Sequence, residues 1–343
     1  MIGALMDYGA LCTKAKALYG KRLRLSDFER IAACHDVAEV AEYLRGHPAW
    51  SASSQRLSGG VYIGRVELEL ALWQQFREDY QSLLHFVPRQ DRALMAFPLL
   101  LQEQRAILAA LRRLQAGHPV FTPQAVVHSA LDWKGVLNCT DFDGLIAAAE
   151  RTIYGPALRR LRPSGSGLPD YATAEILLRS VYFSHMYRVI QHNYAGEVRK
   201  ILLRSYGEQI DLLNLIHILR LKTYFPDQRD YLPLLFPFNY RLRPELIRQL
   251  CAAPDVDGVF VLLKDTPYAK AFERVEVGEV EDYYRRAFYQ FNRRQLTSGP
   301  PSVCAAVSYL NLKELELRAL VEVVEAVKYG VPCDLSFARL IGE

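Results

Sequence analysis

The sequence predicts an all-α protein made of three similar helical domains. Apolar residues recur at steps of three and four along most of the chain, which is the period of an amphipathic helix. No stretch alternates apolar and polar residues between hairpin turns, so a sheet is not expected. A unit of about 110 residues recurs three times with the same internal order, and this repetition predicts the number of domains.

The composition favours a globular protein without a charge-driven partner. Half of the 343 residues are hydrophobic, and the length exceeds the size at which a single core usually stops growing. The 42 basic and 38 acidic residues leave a net charge of +4, without the basic stripe of a nucleic-acid-binding protein. Six widely spaced cysteines form no C-x-x-C pair, which predicts free thiols in a reducing compartment.

The sequence also predicts a chain that does not cross a membrane. No uncharged run approaches the roughly 20 residues that span a bilayer. The N-terminal residues lack the basic start and long apolar segment of a secretory signal.

The first hundred residues are predicted to be wholly helical, because four stretches show the apolar spacing of a helix. Gly117, followed by a proline two residues later, ends the fourth stretch, because both residue types favour helix termination. The four stretches begin at Tyr8, Leu25, Gly64 and Asp91.

A helical hairpin is the clearest repeated module. The stretches "DGLIAAAERTIY" and "DGVFVLLKDTPY", beginning at Asp143 and Asp257, share four of twelve residues, and the apolar positions between the matches stay apolar. In a third copy near the N-terminus, an Asp-Val pair opens the second hairpin helix, where a carboxylate favours the positive end of the dipole. The stretches end at Tyr154 and Tyr268, and Trp50 lies one position beyond the equivalent place in the first copy. We interpret these three residues as structural, because an aromatic ring with a polar tip suits a buried anchor.

An acidic residue opens the long helix that follows each hairpin. The three residues are Glu67, Glu175 and Glu281, and aromatic residues follow each of them. One interpretation is an acidic ring that faces a basic partner. The other, which we favour, is stabilisation of each helix N-terminus by about 0.3 to 1 kcal/mol.

A long helix that ends at a proline closes each unit, in the segments "LQAGHP", "LKTYFP" and "VKYGVP". Hairpin, acidic helix and closing helix thus keep one order, which places the domains at 1–120, 121–231 and 232–343. Such units exceed the roughly 20 to 47 residues of a solenoid repeat, so each can bury its own core. Three of them predict a pseudo-threefold ring or bowl, which fits a partner that is itself a ring or an axial shaft.

The order of these segments resembles the central-stalk subunit family of V-type and archaeal-type rotary ATPases, whose members are the C subunits of prokaryotes and the d subunits of eukaryotes. The resemblance covers essentially the full length. It rests on the stretch from Tyr8, the hairpins, "DLLNLIHILRLK" from Asp211 and "LNLKELELRALVEVVEAVKYGVP" from Leu310. The first unit departs from this pattern. It carries "EQRAILAALRR" at the place where the quoted segments from Asp211 and Leu310 each contain an Asn-Leu pair. The resemblance implies three helical domains in a pseudo-threefold funnel or bowl.

The function implied by the resemblance is mechanical. A protein of this family caps the membrane proteolipid ring on its cytoplasmic side and receives the rotating shaft of D-type and F-type subunits, coupling ATP hydrolysis or synthesis to H⁺ or Na⁺ transport. It is a monomer within a hetero-oligomeric complex on the cytoplasmic face of the membrane. We therefore expect no catalytic residue, cofactor, metal, nucleotide or nucleic acid. The alternative is an all-helical scaffold or adaptor that binds peptides in a concave groove, and this would show more and shorter repeats.

Basic residues near the closing helices are the best candidates for partner contact. The resemblance implies that these helices line the bowl, where their cations meet acidic residues of the shaft. The alternative role is stabilisation of the negative helix C-termini. The candidates are Arg112, Arg113, Arg220, Lys222 and Lys328.

Overall fold

The computed structural model describes residues 2–52, 57, 63–117, 129–163, 167–225, 230–269 and 280–342. Within these ranges the regular elements are helices and none is a strand, which confirms the all-α class. In chain order the α-helices are α1 (Ile2–Gly20), α2 (Leu25–Ala32), α3 (Val37–Arg45), α4 (Arg65–Leu84), α5 (Arg92–Met95), α6 (Phe97–Ala116), α7 (Trp133–Asn138), α8 (Phe142–Ala149), α9 (Gly155–Arg160), α10 (Tyr171–Asn193), α11 (Gly196–Tyr224), α12 (Pro244–Ala252), α13 (Val256–Leu263), α14 (Val280–Ser298), α15 (Cys304–Tyr329) and α16 (Ser336–Gly342).

The helices form two compact units. Among the described residues, the first joins the N-terminal residues up to Met95 with the residues from Phe288 onward, and the second comprises those between Ala96 and Ala287. The three domain boundaries predicted above rest on sequence equivalence, which is a different criterion from compactness, and they stay a prediction.

Helix α15 is the centre of the first unit. It packs against α1, α2, α3, α4 and α16, and most of its residues are buried. A helix enclosed in this way is apolar on several faces. The buried phenol of Tyr309 donates a hydrogen bond to Asp79 of α4 at 2.5 Å and joins the two long helices.

In the second unit, α10 packs against both α6 and α11. The C-terminal half of α11 then supports a core shared with α12 and α13. Its central residues are Leu215, Ile218, Leu219, Leu250 and Val259.

An aspartate caps the second helix of each hairpin. Asp36, Asp141 and Asp255 each accept the backbone N–H three residues further on, at 2.9, 2.7 and 2.8 Å. Each cap satisfies a helix N–H that has no partner within the helix and places a negative charge at the positive end of the dipole. The hairpin therefore repeats in its local geometry as well as in its sequence.

Two of the long helices end at a left-handed glycine. Gly117 after α6 has φ 67° and Gly330 after α15 has φ 62°, a conformation that L-residues with a Cβ adopt only under strain. The predicted stop at Gly117 is therefore confirmed.

One helical segment of the described residues, Arg89–Ala116, is long and apolar enough by length and composition to cross a membrane. Charged residues interrupt it, among them Asp91, Glu103 and Arg105. Its apolar window is 61% buried inside the protein, as the core helix of a globular domain is.

Candidate interaction site

Each hairpin lies against one long helix, which we call its supporting helix. The first hairpin, α2–α3, packs against α15. The second, α7–α8, packs against α6, and the third, α12–α13, packs through α13 against α11. The supporting helix precedes the hairpin in the chain in the second and third cases, whereas in the first case it comes from the C-terminal part of the sequence.

A buried carboxylate on the supporting helix holds the start of the first and third hairpins. Glu316 of α15 accepts the backbone N–H of Leu23 at 2.9 Å, and Asp211 of α11 accepts that of Leu242 at 3.2 Å. Both leucines directly precede the N-cap residue of the first hairpin helix. Asp211 also accepts the next two N–H groups towards the N-terminus, at 2.7 and 2.8 Å. Hydrogen bonds to a charged acceptor are stronger than neutral ones, so they fix the point at which each hairpin begins.

Glu103 of α6 has the equivalent place at the second hairpin. Its carboxyl lies near the hydroxyl of Ser129 and the backbone N–H groups of Ala130 and Leu131, which favour its charged form and lower its pKa. Leu131 again precedes the N-cap residue. The Oε2 atom of Glu103, however, is buried without a hydrogen-bond partner in the structure, and burial raises the pKa of this carboxyl. Glu103 is therefore the least well satisfied of the three carboxylates.

The three carboxylates were not identified from the sequence, although a signal for two of them was present. Glu103 lies nine residues before Arg112, and Asp211 lies nine residues before Arg220. An acid at a fixed distance before a predicted cation, inside an apolar helix, marks a buried polar anchor.

An aromatic residue anchors the end of each hairpin. The indole N–H of Trp50 and the phenol of Tyr268 donate to the same carboxylates that hold the hairpin starts, at 3.0 and 2.8 Å. The phenol of Tyr154 donates instead to the backbone carbonyl of Leu100 on α6, at 2.8 Å. All three aromatic side chains are buried, and burial raises the pKa of both phenols. These positions are the ones that a structural anchor requires.

The turn that leads to each anchor repeats as well. Thr152 and Thr266 donate to a carbonyl three residues earlier at 2.7 Å, and both accept the N–H two residues later at 3.1 Å. In the first copy His47 has this place, and its Nδ1 accepts the N–H two residues later at 3.3 Å. An imidazole thus replaces the hydroxyl while the backbone turn is retained.

The first hairpin has an additional buried cation. Lys313 of α15 is 2% exposed, and its Nζ lies 3.4 Å from Oε2 of Glu316 and 3.4 Å from the ring centroid of Trp50. The ion pair and the cation–π contact together compensate for removing the ammonium from water. Burial lowers the pKa of the neighbouring His47 imidazole.

Two of the predicted contact residues bind the hairpins of their own chain. The guanidinium of Arg113 donates to the carbonyls of Val136 and Cys139 at 2.9 and 3.0 Å, at the end of α7. The ammonium of Lys222 donates to two carbonyls at the end of α12, those of Cys251 at 2.9 Å and Ala253 at 2.5 Å. Each cation satisfies carbonyls that a helix leaves unpaired at its C-terminus. Their contact with a partner stays a prediction.

The other three predicted contact residues are exposed at the C-terminal ends of the long helices. The guanidinium of Arg112 lies 4.5 Å from the ring centroid of Tyr171, and Nζ of Lys328 lies 5.1 Å from that of Tyr329. Arg220 is exposed near the end of α11. Their side chains are accessible to a second molecule.

Exposed aromatic side chains lie beside these cations. Tyr224 and Phe225 at the end of α11 are 66% and 63% exposed, and Tyr329 at the end of α15 is 64% exposed. Aromatic residues are enriched at the centres of protein interfaces. In the sequence, the segments "LKTYFP" and "VKYGVP" indicated only helix ends, and the exposure of these rings was not predicted.

The three glutamates lie near helix starts. Glu67 is the third residue of α4 and is exposed, and Glu175 is the fifth of α10 and pairs with Arg179 at 2.6 Å. Glu281 is the second residue of α14, and its side chain lies outside the described residues. Neither the acidic ring nor the dipole interpretation is decided by these positions.

The described residues hold no group of three or more His, Cys, Asp or Glu side chains arranged for a metal ion. The six cysteines are free thiols.

Comparison with known proteins gives one consistent result. The family model described as "ATP synthase (C/AC39) subunit" matches residues 11–335. The chain is similar to the C subunit of the A-type ATP synthase of Methanothermobacter thermautotrophicus, with 24% identity over 90% of this chain and 80% of that protein. The C subunit of Archaeoglobus fulgidus is 21% identical over 94% of this chain and 93% of that protein. The C subunit of Pyrococcus furiosus is 24% identical over 80% of this chain and 75% of that protein.

Proposed function

The chain belongs to the ATP synthase (C/AC39) subunit family, and from this premise we propose that it is the non-catalytic central-stalk subunit of a V/A-type rotary ATPase. In this role it caps the membrane proteolipid ring on the cytoplasmic face and receives the lower end of a shaft of D-type and F-type subunits. Rotation of the shaft then drives rotation of the ring, so that ATP hydrolysis or synthesis is coupled to ion transport.

The observation that carries the proposal is the family match over nearly the whole chain, with relatives named as C subunits of A-type ATP synthases. The threefold hairpin geometry supports the three-domain part of it. Each hairpin has an aspartate cap, a buried carboxylate at its start and an aromatic anchor at its end. We therefore keep the boundaries 1–120, 121–231 and 232–343 and the funnel or bowl as part of the proposal.

The anchors explain how such a protein transmits torque. A load on a hairpin passes to its supporting helix only if the hairpin does not slide or rotate on it. Hydrogen bonds from both ends of a hairpin to one buried carboxylate, as at Glu316 and Asp211, resist both movements. Close-packed apolar contacts around them supply the remaining stiffness.

The exposed helix ends are the proposed shaft contact. Arg220 and Lys328 present cations near the exposed rings of Tyr224, Phe225 and Tyr329, Arg112 presents one beside the half-buried ring of Tyr171, and both Arg and Tyr are enriched at energetically important interface positions. Arg113 and Lys222 contribute to the same ends, but their donors already bind hairpin carbonyls. Their role in this proposal is to hold the hairpins against the long helices, and direct contact with the shaft is secondary.

Binding assays with the purified chain test the proposal. We expect the chain to bind a proteolipid ring and a D–F shaft pair, and the double variant Arg220→Glu with Lys328→Glu to bind the shaft at least tenfold more weakly because two attractive charges become repulsive. The matched control is Lys134→Glu with Lys264→Glu, which makes the same charge change at exposed residues elsewhere. Failure of the unmodified chain to bind either ring or shaft would overturn the function, whereas equal shaft binding by both double variants would overturn only the contact surface.

A further inference from the structure

An exposed basic surface lies on the first unit, on α1 with the segment that follows it and on the C-terminal half of α14. No acidic residue occurs in residues 8–26 or 288–304, although the two segments together contain seven basic residues. We call this surface the basic face. Its members are Lys14, Lys16, Lys21, Arg22, Arg24, Arg293 and Arg294.

Direct contacts bring the two segments together. Nζ of Lys16 donates to the carbonyl of Thr297 at 3.2 Å, and the hydroxyls of Tyr19 and Tyr289 are 3.1 Å apart. The guanidinium of Arg22 lies 4.3 Å from the ring centroid of Tyr19. The cations of α1 and α14 therefore form one surface around a tyrosine pair.

The positive charge of the basic face is not neutralised locally. Within the described part of the chain, no salt bridge joins any of its seven members to a carboxylate, and Nε of Arg22 is buried without a hydrogen-bond partner. The whole chain carries +4, so the residues outside the basic face together carry −3. The acid-free residues 8–26 and 288–304 thus carry seven cations without a salt-bridge partner among the described residues, and an unneutralised cluster of this kind attracts an anionic surface.

Helix α1, which carries part of the basic face, also exposes apolar side chains. Leu5 is 60% exposed and Met6 is 82% exposed, in the second turn of α1. Leu5 and Lys16 are eleven residues apart, which is close to three whole turns, so they lie on one face about 16 Å apart. Asp7 is the acid that lies beside them. Two exposed apolar side chains and a cation three turns later supply the two kinds of group that a lipid surface attracts.

We propose that the basic face, together with Leu5 and Met6, binds the anionic headgroup surface of a phospholipid membrane. The cations lie over lipid phosphates, and the two apolar side chains enter the boundary between headgroups and acyl chains. The contact needs neither the proteolipid ring nor the shaft, so it goes beyond the proposed function and can be measured separately. It positions the chain on the membrane and is weak enough to be reversible.

Vesicle binding by the purified full chain tests this inference. We expect sedimentation with vesicles of equal parts phosphatidylglycerol and phosphatidylcholine at about 50 mM NaCl, little with pure phosphatidylcholine, and release at about 500 mM NaCl, where the Debye length is only a few ångström. Free inorganic phosphate at about 10 mM distinguishes a headgroup surface from a phosphate-ion site. Competition by phosphate stronger than that of chloride at equal ionic strength would overturn the proposal.

Two matched pairs of variants locate the surface. The triple variant Lys16→Glu, Lys21→Glu, Arg293→Glu should bind anionic vesicles at least tenfold more weakly, because each cation near such a surface contributes a several-fold factor. Its control, Lys134→Glu, Arg151→Glu, Lys264→Glu, makes the same charge change at other exposed residues and should keep more than half of the binding. Leu5→Ser with Met6→Ser should weaken binding about threefold or more. Leu137→Ser with Val261→Ser, two other exposed apolar residues, should not.

Three further outcomes would overturn the proposal. Equal loss in the triple variant and its control would show binding by net charge alone. An absence of binding to anionic vesicles in a chain with a normal circular dichroism spectrum would remove the membrane contact. Tight binding of a polyglutamate peptide with no vesicle binding would assign the basic face to an acidic protein partner instead.

Discussion

The carboxylate of Asp211 accepts the phenol hydrogen of Tyr268 at 2.8 Å, and both side chains are buried. Three backbone N–H groups of residues 240–242 donate to the same carboxylate. Asp211→Asn places an amide NH₂ against some of these donors, so we expect it to lower the free energy of unfolding by about 2 to 4 kcal/mol. Tyr268→Phe removes one donor of four and should lower it by about 1 kcal/mol. Urea unfolding followed by circular dichroism measures both; a smaller loss in Asp211→Asn than in Tyr268→Phe would contradict this role for the carboxylate.

Replacing Glu103 by its neutral amide should stabilise the chain, whereas the same change at Asp211 should destabilise it. Its Oε2 is buried without a partner and burial raises its pKa, so the folded chain binds this proton more tightly than the unfolded chain does. The contribution of Glu103 to stability is therefore greatest below its unfolded pKa and is lost as the pH rises through the folded pKa. Glu103→Gln keeps the shape without the charge and should raise the free energy of unfolding at pH 7 by about 1 kcal/mol. Unfolding curves at several pH values between 4 and 8 should show a difference from the unmodified chain that grows with pH, and a constant difference would contradict the explanation.

Lys313 and Glu316 are suited to a double-mutant cycle. Glu316→Gln leaves the buried ammonium of Lys313 without its counter-ion and should destabilise the first unit by about 3 kcal/mol or more. Lys313→Met should also destabilise, since it removes the cation from the ring of Trp50. The double variant should be less destabilised than the sum of the two, by at least about 1 kcal/mol. Additive effects in thermal unfolding would show that the two charges do not stabilise each other.

Arg113 and Lys222 should be needed for stability, whereas Arg112 should not. Arg113→Met and Lys222→Met each remove a cationic donor that two hairpin carbonyls share, and we expect losses of about 1 to 2 kcal/mol. Arg112→Met at the neighbouring exposed position should change stability by less than about 0.5 kcal/mol. Chemical unfolding compares the three, and similar values for Arg112→Met and Arg113→Met would remove the distinction between them.

Glycine substitutions test the helix ends. Gly330→Ala forces a Cβ into the left-handed region at φ 62° and should destabilise the chain by about 1 kcal/mol. Gly9→Ala is the control, because Gly9 lies inside α1 and a Cβ added there would meet no other part of the chain within 4 Å. Alanine is the better helix former there, so this change should stabilise by about 0.5 to 1 kcal/mol. Differential scanning calorimetry should show melting temperatures moving in opposite directions.

The helical class, the capped hairpins and the stop at Gly117 were accessible from the sequence because each depends on neighbouring residues. The supporting helix of the first hairpin was not, since Trp50 and Glu316 meet across 266 residues and leave no local pattern. Burial of Lys313 was equally hidden, because a lysine inside "LNLKELEL" is normally a solvated residue.

The candidate site, too, could be predicted from the sequence only in part. Arg112 and Arg113 are adjacent and chemically identical, yet one turns to Tyr171 and the other to the carbonyls of α7. Successive side chains on a helix point about 100° apart, so the sequence placed both at the helix end without showing which one meets the hairpin. The partner contacts themselves remain a prediction for the binding assays.

The pairing of the first hairpin with α15 also sets the order in which a nascent chain can mature. Trp50 leaves the ribosome long before Glu316 exists, so the earliest hairpin must wait, incompletely buried, while the whole second unit is synthesised. The described residues of the second unit all lie between Ala96 and Ala287, so this unit is free to fold during that interval. The N-terminal helices are consequently the part of the newborn protein most exposed to chaperones and proteases, and completion of α15 is the event that ends that exposure.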